Sequence, residues 1–105
     1  MSEVSFTISY KSAKMIISFI KFVTENIRNN INMSGCYWKL SEIEDEMRKY
    51  ENKGCDAVIE LCQKMKENSY FCRVDVMFEL SNFIQTVKPI ISDEIFEKLV
   101  HETSN

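Results

Sequence analysis

Residues 10–31 constrain the chain more than any other stretch, because both their polar and their apolar positions keep helical spacing. Lys11, Lys14, Ser18, Lys21, Glu25 and Arg28 recur at steps of three or four and draw one narrow polar stripe. Nearly everything else in the segment is apolar. Ala13, Ile16, Ile17, Ile20, Val23, Ile27 and Ile31 share one face, and Met15, Phe19 and Phe22 share a second. A helix apolar on two sides needs two covers, so the rest of the chain is expected to pack around it.

Two Gly and one Pro in 105 residues leave few places for tight turns, which favours a few long elements over a many-stranded sandwich. A chain of this length is one domain and buries roughly 65 % of the surface its unfolded form exposes. With 45 % hydrophobic and 28 % charged residues the whole of 1–105 is expected to fold, apart from a loose tail at 103–105.

Before the central helix, residues 3–10 alternate strictly, Val4, Phe6, Ile8 and Tyr10 against Glu3, Ser5, Thr7 and Ser9, which predicts a half-buried strand. Ser9 is placed to cap the helix that follows. A lone strand needs a partner. Within the chain the candidates are residues 36–40 and 70–76, and outside it the same strand of a second copy, so a small or an intermolecular sheet is expected. Asn29, Asn30, Asn32, Ser34 and Gly35 end the central helix in turn-forming residues.

The aromatic piece Cys36, Tyr37, Trp38, Lys39, Leu40 looks strand-like, and either packs on the core or offers a binding surface. Ser41 with Glu44 then has the spacing of a capping box, with Glu42, Asp45 and Glu46 suiting a helix N-terminus. The apolar phase Ile43, Met47, Tyr50, Gly54, Val58, Leu61, Met65 passes Gly54 without a slip. This favours one helix over 41–67, bent or closely packed at Gly54; the alternative stops at Lys53, uses Gly54 as a left-handed cap and restarts at Asp56. Residues 70–80 alternate like a strand yet also carry a helical stripe. An extended 70–72 leading into a helix over 74–87, stopped by Pro89, reconciles the two. Ser92 caps a last helix over 93–102. The expected fold is α+β and mainly helical, an N-terminal strand followed by four or five helices around the first.

The chemistry is sparse. Cys36, Cys55, Cys62 and Cys72 show no C-x-x-C spacing and His101 is the single histidine, so no metal site and no disulfide framework is expected. Glycines at 35 and 54 alone rule out the glycine-rich phosphate loops. No cofactor is implied, and catalysis is not expected unless the fold assembles a thiol site out of distant residues. A net charge of -3 gives no global attraction for nucleic acid. The stripe Lys11, Lys14, Lys21, Arg28 is the one candidate for phosphate contact, interrupted by Glu25 and with no aromatic interleaved.

The most apolar run, residues 15–23, is broken by Ser18 and Lys21 and is far short of the ~20 residues that span a bilayer. The first residues lack the basic and apolar regions of a secretory signal, so a cytoplasmic location is expected. The bias toward Ile, Lys, Asn and Phe is that of an AT-rich genome, and a phage, virus or mobile element fits it. The expected function is therefore a small protein-binding regulator, adaptor or stoichiometric inhibitor. Met15, Phe19, Phe22, Tyr37 and Trp38 are the interface candidates. A homodimer through the second face of the central helix is also expected, and a nucleic-acid-binding regulator is the alternative.

Overall fold

The computed structural model describes residues 6–29, 36–67 and 73–102, and they are mainly helical. Among the described residues five α-helices follow in order: α1 (Tyr10–Asn29), α2 (Cys36–Arg48), α3 (Lys53–Glu67), α4 (Arg73–Val87) and α5 (Asp93–Glu102), with a 3₁₀ turn, Lys88–Ile90, between the last two. The helix α1 is the hub, packed against α2, α4 and α5, while α2 and α3 pair along their lengths and α3 also meets α4.

Ser9 starts α1 as its spacing predicts. Its Oγ accepts the Ser12 N–H at 3.2 Å and its carbonyl accepts that of Ala13 at 2.9 Å. Ala13, Ile16, Ile17, Phe19 and Val23 are all buried. Phe19 meets Phe83 of α4 edge to face, centroids 5.4 Å apart. Leu40, Ile43 and Met47 from α2 and Cys55, Val58, Cys62 and Met65 from α3 complete one side of this core, and Leu80, Phe83, Val87, Ile90 and Leu99 the other.

The N-terminal strand is not found. Residues 3–5 lie outside the described residues, 6–9 have no regular structure, and Tyr10 is already helical; among the described residues there is no strand. Both internal partners had been taken by helices, 36–40 by α2 and 73–76 by α4, with 70–72 outside the described residues. Ile8, buried at 2 % exposure, instead gives its N–H to the Ile90 carbonyl at 2.8 Å. Phe6 packs edge-on against Tyr50. The residues after Ile8 also bind far along the chain: Ser9 N–H donates to Tyr50 Oη at 3.0 Å, and Tyr10 Oη donates to Glu102 at 2.8 Å.

Residues 36–40 are helical because Leu40, Ile43 and Met47 form one buried stripe, which carries α2 back past the capping-box position. Ser41 is thus inside the helix, and its Oγ accepts from Lys66 Nζ at 3.3 Å. The continuous helix over 41–67 is also corrected. The chain breaks at 49–52, with Glu51 rather than Gly54 in the left-handed region at φ 48°. Asn52 restarts it, its Oδ1 accepting the Gly54 N–H at 2.8 Å and its carbonyl that of Asp56. Gly54 is closely packed as expected: a Cβ there would stand 2.6 Å from Ile90 Cγ2.

α4 ends at Val87, ahead of Pro89. Ser92 caps α5 through the Ile95 N–H at 3.2 Å. The tail at 103–105 lies outside the described residues.

Candidate protein-binding face

The phase that buries Leu40 decides what its neighbours do. Two residues earlier is about 200° round a helix, so Trp38 faces away from the core and is 73 % exposed. Tyr37 flanks it at 51 % exposure, the two rings 6.1 Å apart and edge to face. Lys39 turns the other way, its Nζ 4.8 Å over the ring of the partly buried Phe22 on α1.

Tyr37 is held from the far side by α3. Lys66 Nζ lies 5.3 Å from its ring centroid and 2.8 Å from Glu44 Oε1, an ion pair. Arg48 reaches the same carboxylate at 2.6 Å. Burial pushes the Glu44 carboxyl upward, but the two adjacent cations outweigh it and keep the group below the usual carboxylate value. Glu44 in turn raises Lys66. The aromatic pair therefore stands on a charged base that ties α2 to α3.

Toward the start of α1, a groove of about 310 Å³ opens between α1 and α2, lined by Lys11, Lys14, Met15, Ser18, Phe19, Lys39, Glu42 and Ile43. Phe19 and Ile43 are buried and form its floor, while Met15 is partly exposed. Just beyond it a chain of hydroxyls fastens the two helices: Tyr50 Oη donates to Ser9 Oγ at 3.0 Å, Ser9 to Ser12 at 3.1 Å, and Ser12 to Glu46 Oε2 at 2.7 Å. Ser12 first, then Lys49, hold the Glu46 carboxyl below its usual range against the cost of burial.

The interface candidates thus divide. Met15 lines the groove, Phe22 is partly buried beneath Lys39, and Tyr37 and Trp38 are exposed on α2 with Tyr37 beside Lys66 of α3, whereas Phe19 is 2 % exposed and belongs to the protomer's core. The face of α1 that the homodimer was to cover is, at Phe19, covered from within the chain by Phe83. The basic stripe divides too. Lys11 and Lys14 rim the groove, Lys21 donates to the Val100 carbonyl on α5 at 3.3 Å, and the Arg28 side chain lies outside the described residues. Lys39, which sequence reading passed over, joins Lys11 and Lys14 from across the groove. Its helical phase was the available signal, hidden by reading 36–40 as extended.

Of the cysteines, Cys55 and Cys62 are buried free thiols, and the side chains of Cys36 and Cys72 lie outside the described residues. Burial raises the Cys55 thiol and pushes Cys62 up to about 12, which disfavours the thiolate at both. Among the described residues no group of three or more His, Cys, Asp or Glu side chains is placed to hold a metal ion, and no helix is long and apolar enough to cross a membrane. The chain matches no protein-family model, no curated protein and no solved structure.

Proposed function

We propose that this chain works by binding another protein through the α1/α2 face, as a regulator, adaptor or stoichiometric inhibitor, with Trp38 and Tyr37 as its anchors. The observation that supports this reading is the exposure of the chain's single Trp, at 73 %, beside a half-exposed Tyr. Tryptophan and tyrosine are the residues on which binding energy most often concentrates. Covering Trp38 alone removes enough apolar surface for on the order of 4 kcal/mol before the costs of association. Lys66, ion-paired to Glu44, also lies 5.3 Å from the Tyr37 ring centroid, a cation–π contact that favours this placement of the ring.

The test is affinity capture from an extract of the source cells, with wild type and Trp38→Ala run side by side. Both should have the same far-UV circular dichroism, because Trp38 supports little of the core. A protein retained by wild type and lost by the variant is the expected result. The purified partner should then shift the emission of this lone indole to the blue. Identical capture by both proteins, or none by either, refutes the proposal.

A further inference from the structure

The groove between α1 and α2 combines two properties that narrow the partner's chemistry. Its floor is apolar, Met15, Phe19 and Ile43, and its rim carries Lys11, Lys14 and Lys39 against one carboxylate, Glu42. This concentration of positive charge occurs in a chain whose net charge is -3. Of the other lysines, Lys49, Lys64 and Lys66 are paired with Glu46, Glu79 and Glu44, and among the described residues Lys21, Lys53, Lys88 and Lys98 have no carboxylate within 4.0 Å. Among the described residues Lys11, Lys14 and Lys39 have no carboxylate within 4.0 Å, and all three are exposed. Lys39 also lies over the partly buried Phe22, which sets that ring beside the groove's rim.

We infer that this groove receives an acidic, amphipathic segment of the partner protein, one apolar side chain seated against the partly exposed Met15, above the buried Phe19 and Ile43, and flanking carboxylates on Lys11, Lys14 and Lys39. The inference rests on the protein-binding reading and adds the partner's charge pattern to it. A volume of about 310 Å³ is at the small end of ligand pockets and suits a side chain rather than a whole cofactor. Nucleic acid fits less well, because the groove's aromatic ring, Phe19, is buried and offers no face for a base to stack on, and Glu42 opposes phosphate. A second copy docked about a two-fold axis would set the three lysines against their own kind.

Fluorescence anisotropy with labelled synthetic helical peptides tests this. One peptide carries Glu and Leu at amphipathic spacing, a second replaces Glu by Lys, and a third replaces Leu by Ser. Wild type should bind the first and neither of the others. The triple variant Lys11→Gln, Lys14→Gln, Lys39→Gln should bind it on the order of 10–100-fold more weakly, each exposed pair contributing a few-fold. A control with the same change of charge elsewhere, Lys53→Gln, Lys88→Gln, Lys98→Gln, should bind as wild type does. No binding of the acidic peptide, equal binding of the basic one, or an unaffected groove variant overturns the inference. Tighter binding of a 20-nucleotide oligonucleotide reassigns the groove to nucleic acid. A wild-type dimer in sedimentation that the groove variant dissolves reassigns it to a second copy. The two readings fail separately. If the groove variant still captures the protein that Trp38→Ala loses, the binding face stands and the acidic segment falls; if Trp38→Ala binds the acidic peptide but capture is the same for both, the reverse holds.

Discussion

Replacing Gly54 by Ala sets two effects of similar size against each other, and the structure says which wins. Alanine at a helical position gains at most about 1 kcal/mol over glycine. The new Cβ, however, stands 2.6 Å from Ile90 Cγ2 and 3.1 Å from the Asn52 Oδ1 that caps α3. Ile90 has little room to yield: it is 5 % exposed, and its carbonyl is tied to the Ile8 N–H. Overpacking of this kind costs about 1–3 kcal/mol, and a displaced cap adds a fraction of its usual ~1 kcal/mol. The expected outcome is a net loss of about 1–2 kcal/mol, read as a lower midpoint of urea unfolding with an unchanged slope. A double-mutant cycle isolates the cause. Ile90→Ala alone should cost about 2–5 kcal/mol, but it removes the obstructing methyl, so adding Gly54→Ala to it should be neutral or stabilising. A stabilising Gly54→Ala in wild type, or the same penalty in both backgrounds, would refute the close approach as the reason for glycine.

Three further outcomes follow from buried groups. Phe19→Glu should lose its far-UV circular dichroism, because an unpaired carboxylate against Phe83 costs several kcal/mol; a folded variant of altered sedimentation would instead place Phe19 in an interface. Glu46 has its folded pKa depressed by Ser12 and then Lys49, so its stabilisation is present above the unfolded carboxylate value and disappears as pH falls through the folded one. Ser12→Ala should accordingly lower stability at pH 7 by about 1–3 kcal/mol and shrink the loss between pH 7 and pH 3, and an unchanged acid profile in urea titrations would count against the contact. Cys62 should resist iodoacetamide at pH 8 until the chain is unfolded, as its thiol is fully buried and raised to about 12; mass mapping that shows labelling at the rate of a free thiol would contradict this.

Helical periodicity was legible wherever a long stripe met a cap. The apolar pattern of α1 with Ser9, and of α5 with Ser92, located both helices, and Pro89 located the end of α4. Local signals misled where tertiary packing competed with them. Ser41 and Glu44 have capping-box spacing, yet the burial of Leu40 together with Ile43 and Met47 extended α2 across it. The phase through Gly54 was unbroken, but Glu51 could adopt the left-handed turn and Asn52 restart the helix, so an intact stripe did not require an intact helix. The alternation of residues 3–10 did report burial at Ile8, although one hydrogen bond to Ile90 replaced the ladder. At the candidate site Tyr37 and Trp38 were visible by composition. The groove was not, because Lys39 meets Lys11 and Lys14 only once α2 lies beside α1.

Ile8, Ser9 and Tyr10 bind in succession to Ile90, Tyr50 and Glu102, so three consecutive residues clasp the end of the 3₁₀ turn, the break between α2 and α3, and the end of α5. Closing a loop that long is an entropic burden carried almost entirely by whichever contact forms first, since the cost grows only with the logarithm of length. Once one has formed, the other two are adjacent and close with little further loss of freedom. The clasp is expected to close late on the folding route, after the helices have packed. Its stabilisation therefore acts mainly on the rate of escape from the native state and hardly on the rate of reaching it. In a chevron plot, Ile8→Ala should raise the unfolding arm and leave the folding arm in place, making these few residues a governor of how long each folded molecule lasts.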